Sequence, residues 1–144
     1  MPTLTVQQIR DSLGDDPANH HLLDGNEFPD SAVTLSMMLA VDSYNTMPPI
    51  GGATIDSLGP SLLLLGTIWH LYNGRALAIS ARNQMSYSDG GLTVPIEERY
   101  QFYIQMAQMY ETQFKSAAND NKIARNMEAG WGSVHTDYAS FPIW

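Results

Sequence analysis

Apolar positions recur every three or four residues over several stretches of this chain, and each stretch is bounded by residues that start or stop helices. Thr5 is placed to cap a short first helix, with Val6, Ile9 and Leu13 on one side and Gly14 at its end. Residues 15–30 are rich in Asp, Asn and Pro and read as a loop pinned by Leu22, Leu23 and Phe28. Asp30 or Ser31 then caps a second helix to about Asn45. Val33, Leu35, Met38 and Leu39, with Asp42 or Tyr44, mark the side expected to face inward, and Pro48 and Pro49 stop the helix. Ile50 to Gly59 holds three glycines and no clear period, so it reads as an irregular connection.

Pro60 suits the first turn of a third helix, which is expected to run to about Gln84. Leu62 to Leu65, Ile68, Trp69, Leu71, Tyr72, Ala76, Leu77 and Ile79 make it apolar nearly all round at its start, so it must be buried on most sides. Gly66 and Gly74 either let another helix come close or are simply tolerated. Met85 to Val94 alternates around Gly90-Gly91 and predicts a β-hairpin, which should pack on its own helices or pair with a neighbouring subunit. A fourth helix, about Ile96 to Asn119, carries Tyr100, Tyr103, Ile104, Ala107, Tyr110 and Phe114 as one stripe expected to face the third.

The segment 130–144 holds Trp131, Val134, Tyr138, Phe141, Ile143 and Trp144 without helical or strand period. Leaving such large side chains in water forgoes several kcal/mol at ~25 cal/mol per Å². An extended arm that docks on its own subunit or on a neighbour is the expectation, reached through a linker bearing Lys115, Lys122 and Arg125. The predicted organisation is therefore mainly α: a bundle of about four helices spanning 1–129 with one hairpin near 85–94, followed by an extended C-terminal arm. Tyr87, Leu92 and Val94 of the hairpin, with Trp131, Tyr138, Phe141 and Trp144 of the arm, are the candidate interface residues.

Composition narrows what such a bundle can do. At 144 residues the chain fits one domain, and it has no cysteine, so packing or assembly must hold it together. The longest apolar run, Leu58 to Trp69, is broken by Gly59, Pro60, Gly66 and Thr67 and falls short of the ~20 residues of a membrane span. No basic-then-apolar leader opens the sequence, so a soluble protein residing in the cytoplasm where it is made is the expectation. The formal charge of −8 is uneven. Residues 1–60 hold eight acids against Arg10, net −7, and residues 61–144 hold seven acids against six bases, net −1. Phosphate affinity is built from clustered Lys and Arg, so this chain is a poor nucleic-acid binder. Its acidic half is a solvated surface, a face that DNA slides past, or a match for a basic partner.

Candidate chemistry is sparse. His20, His21, Asp24 and Glu27 form the one cluster that resembles a metal or hydrolytic site, but their spacing matches no ligand signature such as H-E-x-x-H. His70 lies on the apolar third helix and reads as a hydrogen-bonded core histidine; His135 has no nucleophile or acid in a motif beside it. There is no G-x-S-x-G elbow and no S-x-x-K, and Gly51-Gly52 and Gly90-Gly91 lack the rest of a phosphate loop. Glu97-Glu98 opens a helix, where negative charge suits the macrodipole. Eight methionines, among them Met37, Met38, Met47, Met106 and Met109, fit core filling or adaptable interfaces. No enzyme, cofactor or metal is expected.

Four stretches resemble the small head-to-tail adaptor proteins of the tailed-bacteriophage neck. Thr5 to Arg10 with Leu22-Leu23-Asp24 is similar to their first helix and loop. Phe28 to Ser31, followed by Leu39 to Pro49 with its Asp42, Tyr44, Asn45, Pro48 and Pro49, looks like their second helix and its exit. Leu62 to Gly66 leading to Ala76-Leu77, and Gln84 to Val94 before an aromatic helix, complete the likeness, which covers most of residues 5–115. The resemblance implies a helical bundle with a protruding hairpin, assembled as a homo-oligomeric ring, commonly twelve-fold. Its implied partners are the portal protein and tail or nozzle proteins, with genomic DNA passing through without sequence-specific binding and no membrane involved. The nearly all-round apolar third helix, the unsupported hairpin and the aromatic tail agree as surfaces seeking partners, since heterologous contacts that close make rings. Two alternatives stay open: a tail-completion or baseplate component, and a cytoplasmic enzyme or metal-binding protein using the His20 cluster.

Overall fold

A computed structural model describes residues 4–15, 25, 27–82 and 96–131. They are mainly helical: α1 Val6–Leu13, α2 Asp30–Thr46, α3 Pro60–Arg82 and α4 Ile96–Trp131, with no strand among the described residues. The expected hairpin, with Tyr87, Leu92 and Val94, lies outside the described residues, as does the arm from 132 onward.

α1 begins and ends as its sequence predicts. The Thr5 hydroxyl accepts the Gln8 N–H, and the Gln8 side chain accepts the Thr5 N–H in return, so two otherwise unpaired donors are satisfied. Gly14 takes φ 69°, the left-handed conformation that favours glycine, and its N–H reaches back to the carbonyls of Arg10 and Asp11. Ile9 buries completely, and Arg10 with it. The Arg10 guanidinium donates to Asp15 Oδ2 at 2.8 Å and to Asp30. Asp15 also accepts the backbone N–H groups of Glu27 at 2.5 Å and Phe28 at 3.0 Å. One buried carboxylate thus ties the end of α1 to the chain entering α2.

α2 differs from its expected form in two ways. Pro29 is the capping residue and makes no side-chain hydrogen bond, while Asp30 is the first helical residue and accepts from Arg10. Its inward face is Val33, Ser36, Met37, Ala40 and Tyr44, whereas Leu35, Met38 and Leu39 are 55%, 57% and 40% exposed. α2 is apolar around most of its girth, so hydrophobicity does not choose the buried side; the small Ser36 and Ala40 do, by admitting α3. Gly66 sits at that crossing. A Cβ added there would lie 2.7 Å from the Ala40 Cβ and 2.8 Å from Phe114 Cε2, so the missing side chain is what lets three helices meet. Gly74 has nothing within 4 Å of such a Cβ and is merely tolerated.

α3 is the central helix and packs on both α2 and α4. Leu62, Leu63, Thr67, Ile68, Leu71 and Ala76 are buried, although Leu77 is 62% exposed. The aromatic stripe of α4 faces α3 as expected: Tyr72 stacks on Tyr110 and meets Tyr103, and Trp69 meets Phe114. α4 runs twelve residues further than its sequence suggests, from Asn119 to Trp131. The segment expected to be a linker is helix, because Lys122, Ala124, Arg125, Met127, Glu128 and Ala129 all favour helix and no proline interrupts them. Gly130 and Trp131, expected at the start of the extended arm, are therefore helical. No helix among the described residues is long and apolar enough to cross a membrane.

Candidate interaction surfaces

Three surfaces leave large apolar side chains in water. The first is the loop after α2. Asn45 brackets it: the side-chain amide donates to the Ala53 carbonyl at 2.9 Å and its oxygen accepts the Ala53 N–H at 2.8 Å, while the Asn45 carbonyl takes the Gly51 N–H at 3.1 Å. From the other side Lys122 of α4, itself buried, donates to the carbonyls of Met47 and of Pro49, the latter at 2.8 Å. Its ammonium also lies 4.6 Å from the centre of the Tyr44 ring, and the Tyr44 hydroxyl donates to Asn121 at 2.8 Å. Burial holds the Lys122 ammonium below the usual lysine range. Between these clamps Ile50 stands 86% exposed.

The second is a groove of about 290 Å³ between the first half of α2 and the second half of α3, lined by Phe28, Pro29, Ala32, Leu35, Leu39, Leu71, Gly74 and Ala78, with Glu27, Ser36, His70 and Arg75 at its polar positions. Tyr103 donates to Glu27, and the Arg75 Nε is buried without a hydrogen-bond partner. Burial, then the Glu27 contact, raises the Tyr103 pKa above the usual tyrosine value. The third surface is the outer side of α4, where Phe102, Met109, Ile123 and Met127 are all between 43% and 58% exposed. Residues 102, 109 and 123 are separated by multiples of seven, so they share one side of the helix, turned away from Ala107, Phe114 and Ala118 in the core.

The sequence points to other residues. Trp131 closes α4, and Tyr87, Leu92, Val94, Tyr138, Phe141 and Trp144 lie outside the described residues. His20, His21 and Asp24 lie outside them too; Glu27 holds Tyr103, and no group of three His, Cys, Asp or Glu able to hold a metal occurs among the described residues. His70 is half-buried, with Nε2 at 2.9 Å from the Ser43 hydroxyl and a hydrogen bond to the Leu39 backbone, as a core histidine would be. Burial lowers its pKa from 6.5 against the pull of Glu111, Asp42 and Leu39.

Comparison with protein-family models, with curated proteins and with solved structures finds no match to this chain. The surfaces have to speak for themselves. What sequence reasoning missed was Ile50, and the signal was present: a single large apolar residue between Pro48-Pro49 and Gly51-Gly52, where a turn presents it.

Proposed function

We propose that this chain is a virion structural subunit, a head-to-tail adaptor that assembles as a ring beneath the portal of a tailed bacteriophage, extends the DNA channel and anchors tail proteins. The observation that carries this reading is the placement of exposed apolar side chains on separate parts of one small bundle: Leu35, Met38 and Leu39 on α2, Ile50 on its exit loop, and Phe102 and Met109 on α4. A monomer leaves all of these in water, whereas a subunit with neighbours on two sides covers them. The residues that carry the adaptor resemblance support it as well. Tyr44, Asn45, Met47 and Pro49 of the α2 exit each hold the following loop in place through α4 or through Ala53, which is a structural duty.

A structural subunit of this kind has no reaction to perform. The acidic excess of residues 1–60, net −7, suits a wall that DNA passes without adhering. The test is location. Cryo-electron microscopy of purified virions, with the chain tagged at its N-terminus, should place it as a ring between portal and tail. Its absence from the neck, or its presence there as a single copy, overturns the reading.

A further inference from the structure

We infer that residues 132–144 turn back at the end of α4 and lie along its outer side, seating Tyr138, Phe141 and Trp144 on Ile123, Ser116 and Met109 of the same chain. The inference does not depend on the adaptor reading, since an arm docked in this way completes one subunit whatever that subunit builds.

The seat is a row on α4. Ile123, Ser116 and Met109 follow one another at intervals of seven residues, so they stand in line along the helix, about 10.5 Å apart. All three are exposed, and the two large side chains flank a small one, which leaves a gap in the row. Among the described residues nothing covers it, because α4 packs on α3 through its opposite side, where Ala107, Phe114 and Ala118 are buried.

The segment that follows α4 carries the matching spacing. Tyr138, Phe141 and Trp144 come at intervals of three residues, and Pro142 disfavours helix at Phe141. A chain in polyproline geometry has three residues to the turn, so it presents all three rings on one side, about 9 Å apart. Over two repeats it drifts only ~2 Å against the row on the helix, which long aromatic side chains absorb. The middle ring, Phe141, then meets Ser116, the position with room for it.

The connection has the right length as well. Eight residues of helix, about 12 Å, separate Trp131 from Ile123. Gly132 and Ser133 are residue types that reverse a chain, and the four steps from Val134 to Tyr138 cover about 13 Å in extended form. So short a tether gives the arm a roughly millimolar effective concentration at its own helix, which favours that helix over a neighbour's. Of the exposed apolar residues on the bundle, Ile123 and Met109 pass to the arm, and those on α2 and its exit loop remain for other subunits.

The chain has no cysteine, so introduced pairs report without background. In the full chain, Ser116→Cys with Phe141→Cys, incubated with oxidised glutathione, should close a disulfide within the monomer. Thr112→Cys with Phe141→Cys is one helical turn out of register and should close at least about tenfold more slowly, because a disulfide needs its α-carbons within about 4.4–6.8 Å. A second readout leaves every aromatic in place. Ile123→Asp with Met109→Asp charges an exposed row; it should preserve the circular dichroism of the bundle while speeding chymotryptic cleavage after Tyr138 by about tenfold or more, since cleavage tracks the open population. The inference is overturned if the in-register pair fails to close, if both pairs close at one rate, if the bond forms only between two chains, or if cleavage after Tyr138 is as fast in the parent as in the aspartate variant.

Discussion

The Lys122 ammonium donates to the Pro49 carbonyl at 2.8 Å, across seventy-three positions of sequence, and so joins the last third of α4 to the exit of α2. Lys122→Met removes both bonds at part-buried carbonyls. Net contributions of about 0.5–1.5 kcal/mol per hydrogen bond put the expected loss at about 1–3 kcal/mol in urea unfolding. Lys122→Arg should lose less but not nothing, since a planar guanidinium does not reproduce the ammonium's geometry.

Gly66 and Gly74 should respond to alanine in opposite directions. Gly66→Ala drives a methyl into Ala40 and Phe114 and is expected to destabilise by about 1–3 kcal/mol. Gly74→Ala meets open space inside a helix and should stabilise by about 0.5–1 kcal/mol. Thermal melts of the two variants beside the parent check this; equal shifts of the same sign would contradict the three-helix crossing.

Asp15 is 3% exposed and bonded to a buried Arg10. Asp15→Ala leaves the guanidinium with Asp30 as its remaining acid and strands two backbone N–H groups, with an expected loss of about 3 kcal/mol. The double variant Arg10→Met with Asp15→Ala should recover part of it, because no charge then remains buried. A double-mutant cycle in urea measures the coupling, and strict additivity would show the pair to be independent.

His70 makes stability depend on mild acid. Burial favours its neutral form in the folded state, so the unfolded chain takes up the proton first, near pH 6.5. Stability should fall as pH drops from about 6.5 toward the lower folded value and level off below it. His70→Asn should flatten the unfolding free energy across that window; an unchanged slope would assign the effect to other groups.

Local signals in the sequence were read well where they concern neighbours in sequence. Thr5, Gln8 and Gly14 define α1 through contacts at three or four residues, and Pro48 and Pro49 end α2. Distant choices were not legible. Met38 and Met37 are chemically identical, and what buries one and exposes the other is the approach of α3 at Ala40 and Gly66, a property of a partner helix. Lys122 misled for the same reason: a lysine among Asn, Asp and Arg reads as a solvated linker, and only carbonyls brought from residues 47 and 49 bury it. Ile50, a single apolar residue in an irregular segment, has no period to mark it, and only its flanks Pro48-Pro49 and Gly51-Gly52 point to it.

The carboxylate of Asp15 holds both margins of the stretch from 16 to 26, with α1 on one side and the N–H groups of Glu27 and Phe28 on the other. A cut in the backbone between those margins would therefore leave α1 still fastened to the entrance of α2, through one carboxylate and the guanidinium it holds.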